Sequence, residues 1–183
     1  MTDTHLHIHP VAALHIRDAD AADEPFFAAL YRSTRPDLLG MLADRRYIDG
    51  LVATQRQAQI AHYRARHPEA RYRVLVLDGE PAGRLVTADA DGALRVVDIA
   101  VMPSARGRGV ASETLRRLQG QAEREGRALT LAVRADNHGA RRLYAALGFT
   151  SGEGGDHAVL QLRWRPGAHP VQSGSLLDEG LAP

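Results

Sequence analysis

The chain has 183 residues, 44% of them apolar, and a formal net charge of +1. This composition suits one domain and argues against a general nucleic-acid or membrane surface. The absence of cysteine excludes disulfides, thiolate ligands and a covalent acyl-cysteine intermediate. We find no signal peptide and no apolar run of about 18 residues. We therefore expect a cytoplasmic protein, and the arginine-rich, lysine-free composition suggests a bacterial genome rich in G and C.

The two ends of the chain are predicted to lie outside the folded domain. Residues 1–13 are predicted to be a flexible tail, and residues 166–183, rich in glycine, proline and serine, a disordered one. The domain itself is expected at residues 14–165. The first tail carries alternating histidines, but no further ligand lies at a natural spacing, so we predict no metal site.

The first predicted elements are a strand and a helix. Apolar and polar residues alternate from Leu14 to Arg17, which predicts a strand. A helix begins at Asp20 or Asp23, either of which is a suitable N-cap, and continues through Tyr31. We expect it to end before Pro36, because a residue that precedes proline avoids the helical region.

The middle of the chain predicts a second helix and a hairpin. The helix is expected from about Asp44 to Arg66, with apolar residues recurring along one stripe. An alternating strand from Tyr72 to Leu77 is followed by Asp78-Gly79, a strong hairpin turn, and by a return strand over residues 81–87. A further turn is predicted at residues 88–92.

The most informative stretch of the sequence is a strand, a glycine-rich turn and a helix in direct succession. Residues 95–102 form an apolar, β-branched run that predicts a buried strand, and Pro103 ends it. The turn from Arg106 to Ala111 follows, and a helical apolar pattern begins at once. Such a turn directs free backbone N–H groups at one point, where the helix dipole adds to them. It therefore predicts a binding site for phosphate or pyrophosphate.

Two common nucleotide motifs do not fit this turn. The P-loop requires a lysine, whereas Gly109 is followed by Val110 and the chain has no lysine. The dinucleotide fingerprint requires a third glycine or an alanine, whereas Ser112 stands at that position. What remains is the pattern Arg/Gln-x-x-Gly-x-Gly/Ala, formed by Arg106, Gly109 and Ala111. The alternative is an ordinary strand–turn–helix without a ligand.

The last part of the domain predicts a strand, a capped helix and a final strand. The first of these strands covers residues 128–134. The helix begins after Asn137, a good N-cap, and ends at Gly148. A glycine-rich loop is expected at residues 151–156, and a last alternating strand at residues 157–165.

Two segments of the sequence carry a family resemblance. The turn pattern above is similar to an acyl-CoA-binding motif. The later helix fits the pattern N-x-x-A-x-x-x-Y-x-x-x-G-F through Asn137, Ala140, Tyr144, Gly148 and Phe149. In this order and at this spacing, the two segments resemble the GNAT (Gcn5-related) N-acetyltransferases. The resemblance covers about residues 14–165 and is tightest from Arg95 to Phe149.

The resemblance implies an α+β fold with a mixed, mostly antiparallel sheet, helices on both faces and a splayed pair of parallel strands. That pair would be the strands at 95–102 and 128–134, with acyl-CoA lying between them. Acetyl-CoA is then the co-substrate. Its expected binding residues are Ile99, Ala100, Val101, Arg106, Gly107, Arg108, Gly109, Val110, Ala111, Asn137 and Tyr144.

The same resemblance implies catalytic roles. Tyr144 would donate a proton to the leaving thiolate, and a backbone N–H near Val101 would bind the oxyanion; the alternative for Tyr144 is a packing role in the helix core. The residues themselves single out Asp98, the one ionisable group inside the central apolar strand. Asp98 could accept the proton of the amine, orient the substrate ammonium, or pair with an arginine such as Arg84 or Arg95.

The first two helices line the acceptor cleft in the family, so we predict Tyr31, Arg32 and Arg35 as substrate residues. A guanidinium binds a carboxylate through two hydrogen bonds, and the two arginines therefore favour an acidic group on the substrate. The alternative is that Tyr31 is a half-buried packing residue and that the arginines belong to a solvated turn.

The predicted function is an N-acetyltransferase that moves an acetyl group from acetyl-CoA to a primary amine of a small molecule, by direct attack in a ternary complex. Two alternatives stay open. One is a protein acetyltransferase acting on an N-terminus or a lysine, and the other is a non-catalytic domain that binds acyl-CoA as a sensor. We expect no nucleic-acid or membrane partner, and the sequence is compatible with a homodimer.

Overall fold

The computed structural model describes residues 13–40 and 44–167, which form seven strands, five α-helices and two short 3-10 helices. The strands are β1 (Leu14–Asp18), β2 (Arg71–Leu77), β3 (Glu80–Ala90), β4 (Ala93–Val101), β5 (Leu129–Arg134), β6 (Thr150–Gly155) and β7 (Val159–Trp164). The helices are α1 (Glu24–Ser33), α2 (Pro36–Leu39), α3 (Arg45–Arg66), α4 (Val110–Arg124) and α5 (His138–Ala146), with short 3-10 helices at Ala21–Asp23 and Pro103–Ala105. The predicted tails lie outside the described residues, apart from Ala13 and residues 166–167. None of the helices in the described ranges has the length and apolar character needed to cross a membrane.

Short polar side chains and one glycine set the ends of two helices where the sequence predicted them. Asp44 caps α3 by accepting a hydrogen bond from the N–H of Arg46 at 2.8 Å. Asn137 caps α5 by accepting one from the N–H of Ala140 at 3.1 Å. Gly148 follows α5 with a φ of 78°, a left-handed conformation that glycine adopts without steric cost. Both helices therefore begin where a side chain replaces a missing helical hydrogen bond.

The strands form one sheet in the order β1-β2-β3-β4-β5-β7-β6. All neighbouring strands are antiparallel except β4 and β5, which are parallel. The helix α4 connects these two strands, since parallel neighbours need a long crossover connection. The mixed, mostly antiparallel sheet with one parallel pair confirms the predicted fold class.

The parallel pair separates soon after it begins. The residue pairs between β4 and β5 are Leu94–Leu129, Arg95–Thr130 and Val96–Leu131. Pairing stops there, although β4 continues to Val101 and β5 continues to Arg134. The sheet therefore opens between the carboxyl ends of these strands, as the predicted splay requires.

A bulge in β4 lies next to the point where pairing stops. On the neighbouring strand β3, Val86 faces Asp98 while the next residue, Thr87, faces Val96, so Val97 has no residue opposite it. A bulge bends a strand and increases its twist. Beyond the bulge β4 remains paired with β3 as far as Val101, so β4 leans away from β5 while keeping its other neighbour.

Each face of the sheet is covered by its own set of helices. The main apolar cluster joins sheet residues such as Leu85 to residues of α4 and α5. Arg84 precedes Leu85 and must point to the opposite face, where it lies over the ring of Phe27 from α1 at 6.0 Å. On that side a second cluster joins α1, α2 and α3 through Tyr31, Leu38, Ile48 and Val52. The helices α1, α2 and α3 thus cover one face of the sheet, and α4 and α5 cover the other.

Three elements differ from the sequence prediction. Pro36–Leu39 forms α2 where only a break was expected, because Pro36 takes the first helical position, where its missing N–H costs nothing. The strand β3 continues through Ala90, so the predicted turn at residues 88–92 is confined to Asp91 and Gly92. A strand, β6, replaces the predicted loop at residues 151–156, because pairing with β7 outweighs the poor strand propensity of glycine.

The close approach of β3 and β4 generates a testable prediction. A Cβ atom at Gly83 would lie 2.5 Å from the carbonyl oxygen of Ala100 and 3.1 Å from Cδ1 of Leu75. We expect Gly83→Ala to lower the free energy of unfolding by about 2 kcal/mol, because both strands are held by further neighbours and cannot separate freely. Urea unfolding measures the change.

Gly50→Ala is the matched control. Nothing lies within 4 Å of a Cβ atom at Gly50, which is inside α3. Alanine favours a helix interior over glycine by about 0.5–1 kcal/mol, so this variant should gain stability. Equal stabilities of the two variants would contradict the expected clash at Gly83.

Candidate active site

The end of β4, which the sequence predicts to bind acetyl-CoA, lies along the edge of the opening between β4 and β5. Ile99, Ala100 and Val101 follow the last pair between the two strands, so their backbone groups on the β5 side have no strand partner. The carbonyl oxygen of Val101 accepts a hydrogen bond from Nε of Arg106 at 3.1 Å. An extended ligand inserted here could pair with the remaining backbone groups as an added strand would.

The predicted anion-binding turn lies at the mouth of this opening. Gly109 is the N-cap of α4 with a φ of 79°, and Gly107 has a φ of 73°. Neither conformation is open to ordinary side chains at low cost. No side chain caps α4, so the first N–H groups of the helix, from Val110 onward, face outward without a helical acceptor. These donors and the helix dipole form a site for a phosphate or pyrophosphate.

The two arginines of the turn are held in different ways. Arg108 forms an ion pair of 2.5 Å with Asp78 in the β2–β3 turn, and both side chains are about half exposed. Arg106 is tied through Nε alone to the carbonyl of Val101, and its terminal nitrogens make no hydrogen bond within the described ranges. Both arginines keep unused donors, but Arg106, unlike Arg108, pairs with no carboxylate in the part of the chain that the structure describes, so its charge remains for an anion at this turn.

Tyr144 extends from α5 into the core and approaches Asp98. Its ring packs edge-on against Phe149, with ring centroids 5.7 Å apart, and the residue is 7% exposed. Burial, and then the negative charge of Asp98, raise the pKa of the Tyr144 phenol. The hydroxyl makes no hydrogen bond to the part of the chain that the structure describes. It is thus a protonated phenol that still has its proton to donate.

Asp98 forms a buried ion pair with Arg84. Its Oδ2 accepts a hydrogen bond from Nε of Arg84 at 3.0 Å, and Nη2 of the same guanidinium lies 2.9 Å from Oδ2. Its Oδ1 accepts one long hydrogen bond, of 3.4 Å, from the hydroxyl of Tyr63 in α3. Of the roles that the sequence left open for Asp98, pairing with Arg84 is the one observed here, while Arg95 donates to Gln161 instead.

The neighbours of Asp98 form a connected network. Arg84 also donates to Oε1 of Gln59 at 3.2 Å, so one guanidinium holds both a carboxylate and an amide. Burial, and then the charge of Asp98, raise the pKa of Tyr63, which therefore remains a hydrogen-bond donor. Asp98 accepts one hydrogen bond from Arg84 and one long hydrogen bond from Tyr63, and the ion pair lies on Oδ2. The carboxylate is therefore held in position with Oδ1 the less occupied oxygen.

A cavity of about 660 Å³ lies beside this network and contains two of the predicted substrate residues. Its lining residues are Tyr31, Thr34, Arg35, Asp37, Gln59 and Arg134. They come from α1, the segment after it, α2, α3 and the carboxyl end of β5. Gln59 belongs both to the cavity and to the network around Asp98. The cavity therefore adjoins the ion pair.

The structure brings Tyr31 and Arg35 together and separates Arg32 from them. The guanidinium of Arg35 donates to Tyr31 Oη at 3.2 Å, to Gln55, and to both oxygens of Asp37 at 3.0 and 2.7 Å. These contacts, chiefly those with Asp37, hold the pKa of Arg35 above its usual range. Arg32 pairs with Asp49 at the surface and is not among the lining residues.

Gln59 and Arg134 are site residues that the sequence reasoning missed. Gln59 lies one helical turn before Tyr63, so the helical period of α3 carried a signal that could have identified it. Arg134 is the last residue of β5 and gave no local signal, because the position of a strand end relative to α1 depends on the fold. In the ranges 13–40 and 44–167, no three metal-ligating side chains converge.

Comparison with known proteins gives the same fold. A family model described as acetyltransferase (GNAT) family matches residues 18–149. No curated protein matches the chain. PaiA N-acetyltransferase from Thermoplasma acidophilum, solved with coenzyme A, superimposes with a TM-score of 0.62, covering 84% of this chain and 99% of that chain at 13% sequence identity.

Two further solved structures have different stated substrates. RimL, a ribosomal alpha-N-protein acetyltransferase in complex with coenzyme A, has a TM-score of 0.60, 21% identity and coverage of 87% of this chain and 98% of that chain. A spermidine N-acetyltransferase chimera involving Vibrio cholerae has a TM-score of 0.57, 16% identity and coverage of 83% and 95%. Identities this low establish a common fold and leave the acceptor to be argued from the site.

The Arg84–Asp98 ion pair generates a prediction about stability. Asp98→Asn keeps the shape of the side chain but leaves the buried cation of Arg84 without its counter-ion. We expect the free energy of unfolding to fall by about 3 kcal/mol. The double variant Arg84→Met with Asp98→Asn should recover at least half of that loss, because no unpaired charge then remains in the interior. Urea unfolding of the three proteins measures both effects.

Glu113→Gln is the control for this experiment, since Glu113 pairs with Arg117 on the surface of α4. The loss there should stay below about 1 kcal/mol, as is typical of exposed pairs. If Asp98→Asn lowers the free energy of unfolding by no more than Glu113→Gln does, burial adds nothing to the contribution of the Arg84–Asp98 pair.

Proposed function

Because this chain belongs to the acetyltransferase (GNAT) family, we propose that it acetylates the primary amine of a small molecule. Acetyl transfer with acetyl-CoA as the co-substrate follows from family membership, and the small-molecule acceptor is the proposal. The absence of cysteine excludes an acyl-cysteine intermediate, and the proposed route is direct attack of the amine on the thioester in a ternary complex.

The cavity beside the Arg84–Asp98 pair is the observation that carries this proposal. Its volume of about 660 Å³ falls within the range of about 300–1,000 Å³ that is typical of small-molecule sites. Three helices and a strand end contribute its walls, and Gln59 connects it to the ion pair. A site with walls on several sides suits a small acceptor whose amine points toward Asp98.

In this mechanism Asp98 acts on the amine. Arg84 occupies Oδ2, whereas Oδ1 accepts only the long hydrogen bond from Tyr63. Oδ1 is therefore the atom that binds the substrate ammonium or accepts its proton, directly or through water. The same Arg84 contacts that fix the carboxylate also keep it from rotating away from the acceptor.

The remaining steps involve the backbone near Val101 and Tyr144. As the C–N bond forms, a backbone N–H near Val101 donates to the oxyanion, in the stretch of β4 that has no partner on the β5 side. The C–S bond then breaks, and Tyr144 gives its proton to the departing thiolate. Burial keeps this phenol protonated up to high pH, which a proton donor requires.

Cofactor binding is assigned to the opening and the turn. Ile99 and Ala100 offer backbone groups to the pantetheine arm, and Asn137 lies at the other side of the opening, at the start of α5. The N–H groups at the start of α4, together with Gly107 and Gly109, bind the pyrophosphate, and Arg106 assists with its unoccupied donors. We propose that this reaction takes place in the cytoplasm.

Turnover of acetyl-CoA measures the proposed function directly. Thiol release is followed with purified protein, acetyl-CoA and a panel of small amines, next to peptides with free N-termini or lysine side chains. We expect small amines to give the higher kcat/KM. Higher values for peptides would establish a protein acetyltransferase instead, and binding of coenzyme A without turnover of any amine would indicate a sensor.

Gly109→Glu tests the cofactor site. The new carboxylate would lie at the N-terminus of α4, where it repels the pyrophosphate. We expect the affinity for coenzyme A to fall by at least about 100-fold in a calorimetric titration. Gly126→Glu is the control, because Gly126 lies just beyond the other end of α4, away from the turn. Its φ of 62° is also left-handed, so a glutamate there is strained to a similar degree. Wild-type protein that binds ATP but not coenzyme A would contradict this assignment.

Tyr144→Phe tests the proton donor. The ring and its contact with Phe149 stay, while the proton is lost. We expect kcat to fall by roughly 10²–10⁴-fold with little change in the affinity for acetyl-CoA, and the high-pH limb of the rate profile to change. Tyr47→Phe, at an exposed position of α3, is the control. An unchanged kcat would reduce Tyr144 to a packing residue and leave protonation to water.

A further inference from the structure

The cavity beside Asp98 is lined by polar side chains, and hydrogen bonds from arginines orient two of them. Two guanidiniums, those of Arg35 and Arg134, line it, together with one carboxylate, that of Asp37. Both oxygens of Asp37 accept from Arg35, so this carboxylate is engaged within the wall itself. The polar groups that can still contact a ligand are the other neighbours of the arginines, and their orientation depends on the hydrogen bonds that the arginines donate to them.

The amide of Gln59 is oriented by Arg84. A guanidinium has only donors, so the atom of Gln59 that faces it must be the acceptor Oε1, which lies 3.2 Å from Nη2 of Arg84. The NH₂ group at the other end of the amide then points away from Arg84. Gln59 lines the cavity and this NH₂ group donates no hydrogen bond to the described residues, so we infer that its donors serve a ligand in the cavity.

The hydroxyl of Tyr31 is oriented in the same way by Arg35. Nη1 of Arg35 donates to Tyr31 Oη at 3.2 Å, so the oxygen is used as an acceptor and its hydrogen must point elsewhere. Tyr31 is buried at 6% exposure and lines the same cavity as Gln59. The hydroxyl donates no hydrogen bond to the described residues, so we infer that it is a second donor for a ligand in the cavity.

A wall of oriented donors matches one kind of chemical group. Carboxylate oxygens accept several hydrogen bonds at once and match such donors, whereas amine and ammonium groups are themselves donors and would have to share the carboxylate of Asp37 with Arg35. The amine of the acceptor is served by Asp98, on the other side of Gln59. One end of the cavity thus offers an acceptor for an amine, and its wall offers donors for an anion.

We propose that the acceptor is an amino acid or a similar small amine that carries a carboxylate, and that Gln59 and Tyr31 are the residues that bind this carboxylate. This inference rests on the proposed function, since it identifies the class of small amine. Arg134 also lines the cavity, but both oxygens of Asp136 accept hydrogen bonds from its guanidinium, so we assign it no direct role toward the anion.

Matched pairs of amines test the inference. The wild-type protein is assayed with acetyl-CoA and a series of α- and ω-amino acids, each next to its decarboxylated amine and its methyl ester. A hydrogen bond to a charged group contributes about 1.5–3 kcal/mol, so we expect kcat/KM for the best amino acid to exceed that for its decarboxylated amine by roughly 10-fold or more. The ester, which keeps an oxygen without the charge, should lie between them.

Gln59→Glu changes the wall with almost no change in shape. The new carboxylate would accept from Arg84 but offer no donor to the ligand, and its charge would repel an anion. Because the same change also alters the contacts of Arg84, the measured quantity is the preference: we expect the ratio of kcat/KM for the amino acid to kcat/KM for its decarboxylated amine to fall by at least about 10-fold. Gln57→Glu is the matched control, because Gln57 is on the exposed side of the same helix and receives the same change of charge.

Tyr31→Phe removes the second donor and keeps the ring. Here too KM for the amino acid should rise, by about 5-fold or more, with KM for acetyl-CoA unchanged. Equal kcat/KM values for the amino acids and their decarboxylated amines, or a Gln59→Glu protein with the wild-type preference, would overturn the inference and leave the small-amine function standing. Turnover of peptides alone would overturn both.

Discussion

The early end of pairing between β4 and β5 is the constraint on which the site depends. Two parallel strands that stop pairing after Val96 and Leu131 leave backbone groups without partners, and buried backbone groups of this kind are costly. β4 tolerates the opening because β3 holds its other edge as far as Val101, across the close approach at Gly83. An extended ligand with its own hydrogen-bonding groups can satisfy the edge that remains. The backbone groups that the opening leaves without partners are therefore the same groups that can hydrogen-bond to a bound cofactor.

A second constraint is the single guanidinium of Arg84. It lies 5% exposed, over the ring of Phe27, and its donors reach the carboxylate of Asp98 and the amide of Gln59. A lysine could not replace it, because an ammonium lacks the planar arrangement of donors that fixes two partners in set directions. The side chain thereby connects the group that handles the amine to the wall that contacts the rest of the acceptor. A shift of α3 relative to the sheet would disturb both at once.

The sequence predicted those parts of the site that depend on local structure. The turn at Gly107 and Gly109, the capped helix after Asn137 and the fold class follow from short-range patterns, and the structure agrees with each. The helical period places Gln59 on the same side of α3 as Tyr63, but that this side meets the site depends on how α3 lies across β3 and β4. Likewise Arg32 and Arg35 look equivalent in the sequence, yet Arg32 pairs with Asp49 while Arg35 lines the cavity. The strand β6 was missed because its glycines become a strand only through their partner β7.

The pairing of charges around the acceptor cavity changes what its arginines do. The sequence suggested that Arg32 and Arg35 would grip an acidic group directly, but Asp49 and Asp37 already occupy them. Their positive charge is therefore largely balanced within the protein. What Arg35 still contributes is direction, since its hydrogen bond to Tyr31 decides where that hydroxyl points. Oriented dipoles act at contact distance and are little affected by salt, whereas an unpaired charge at the surface would be screened within about 10 Å. If the proposed carboxylate site is correct, selection in this cavity depends on neutral groups that charged neighbours hold in place.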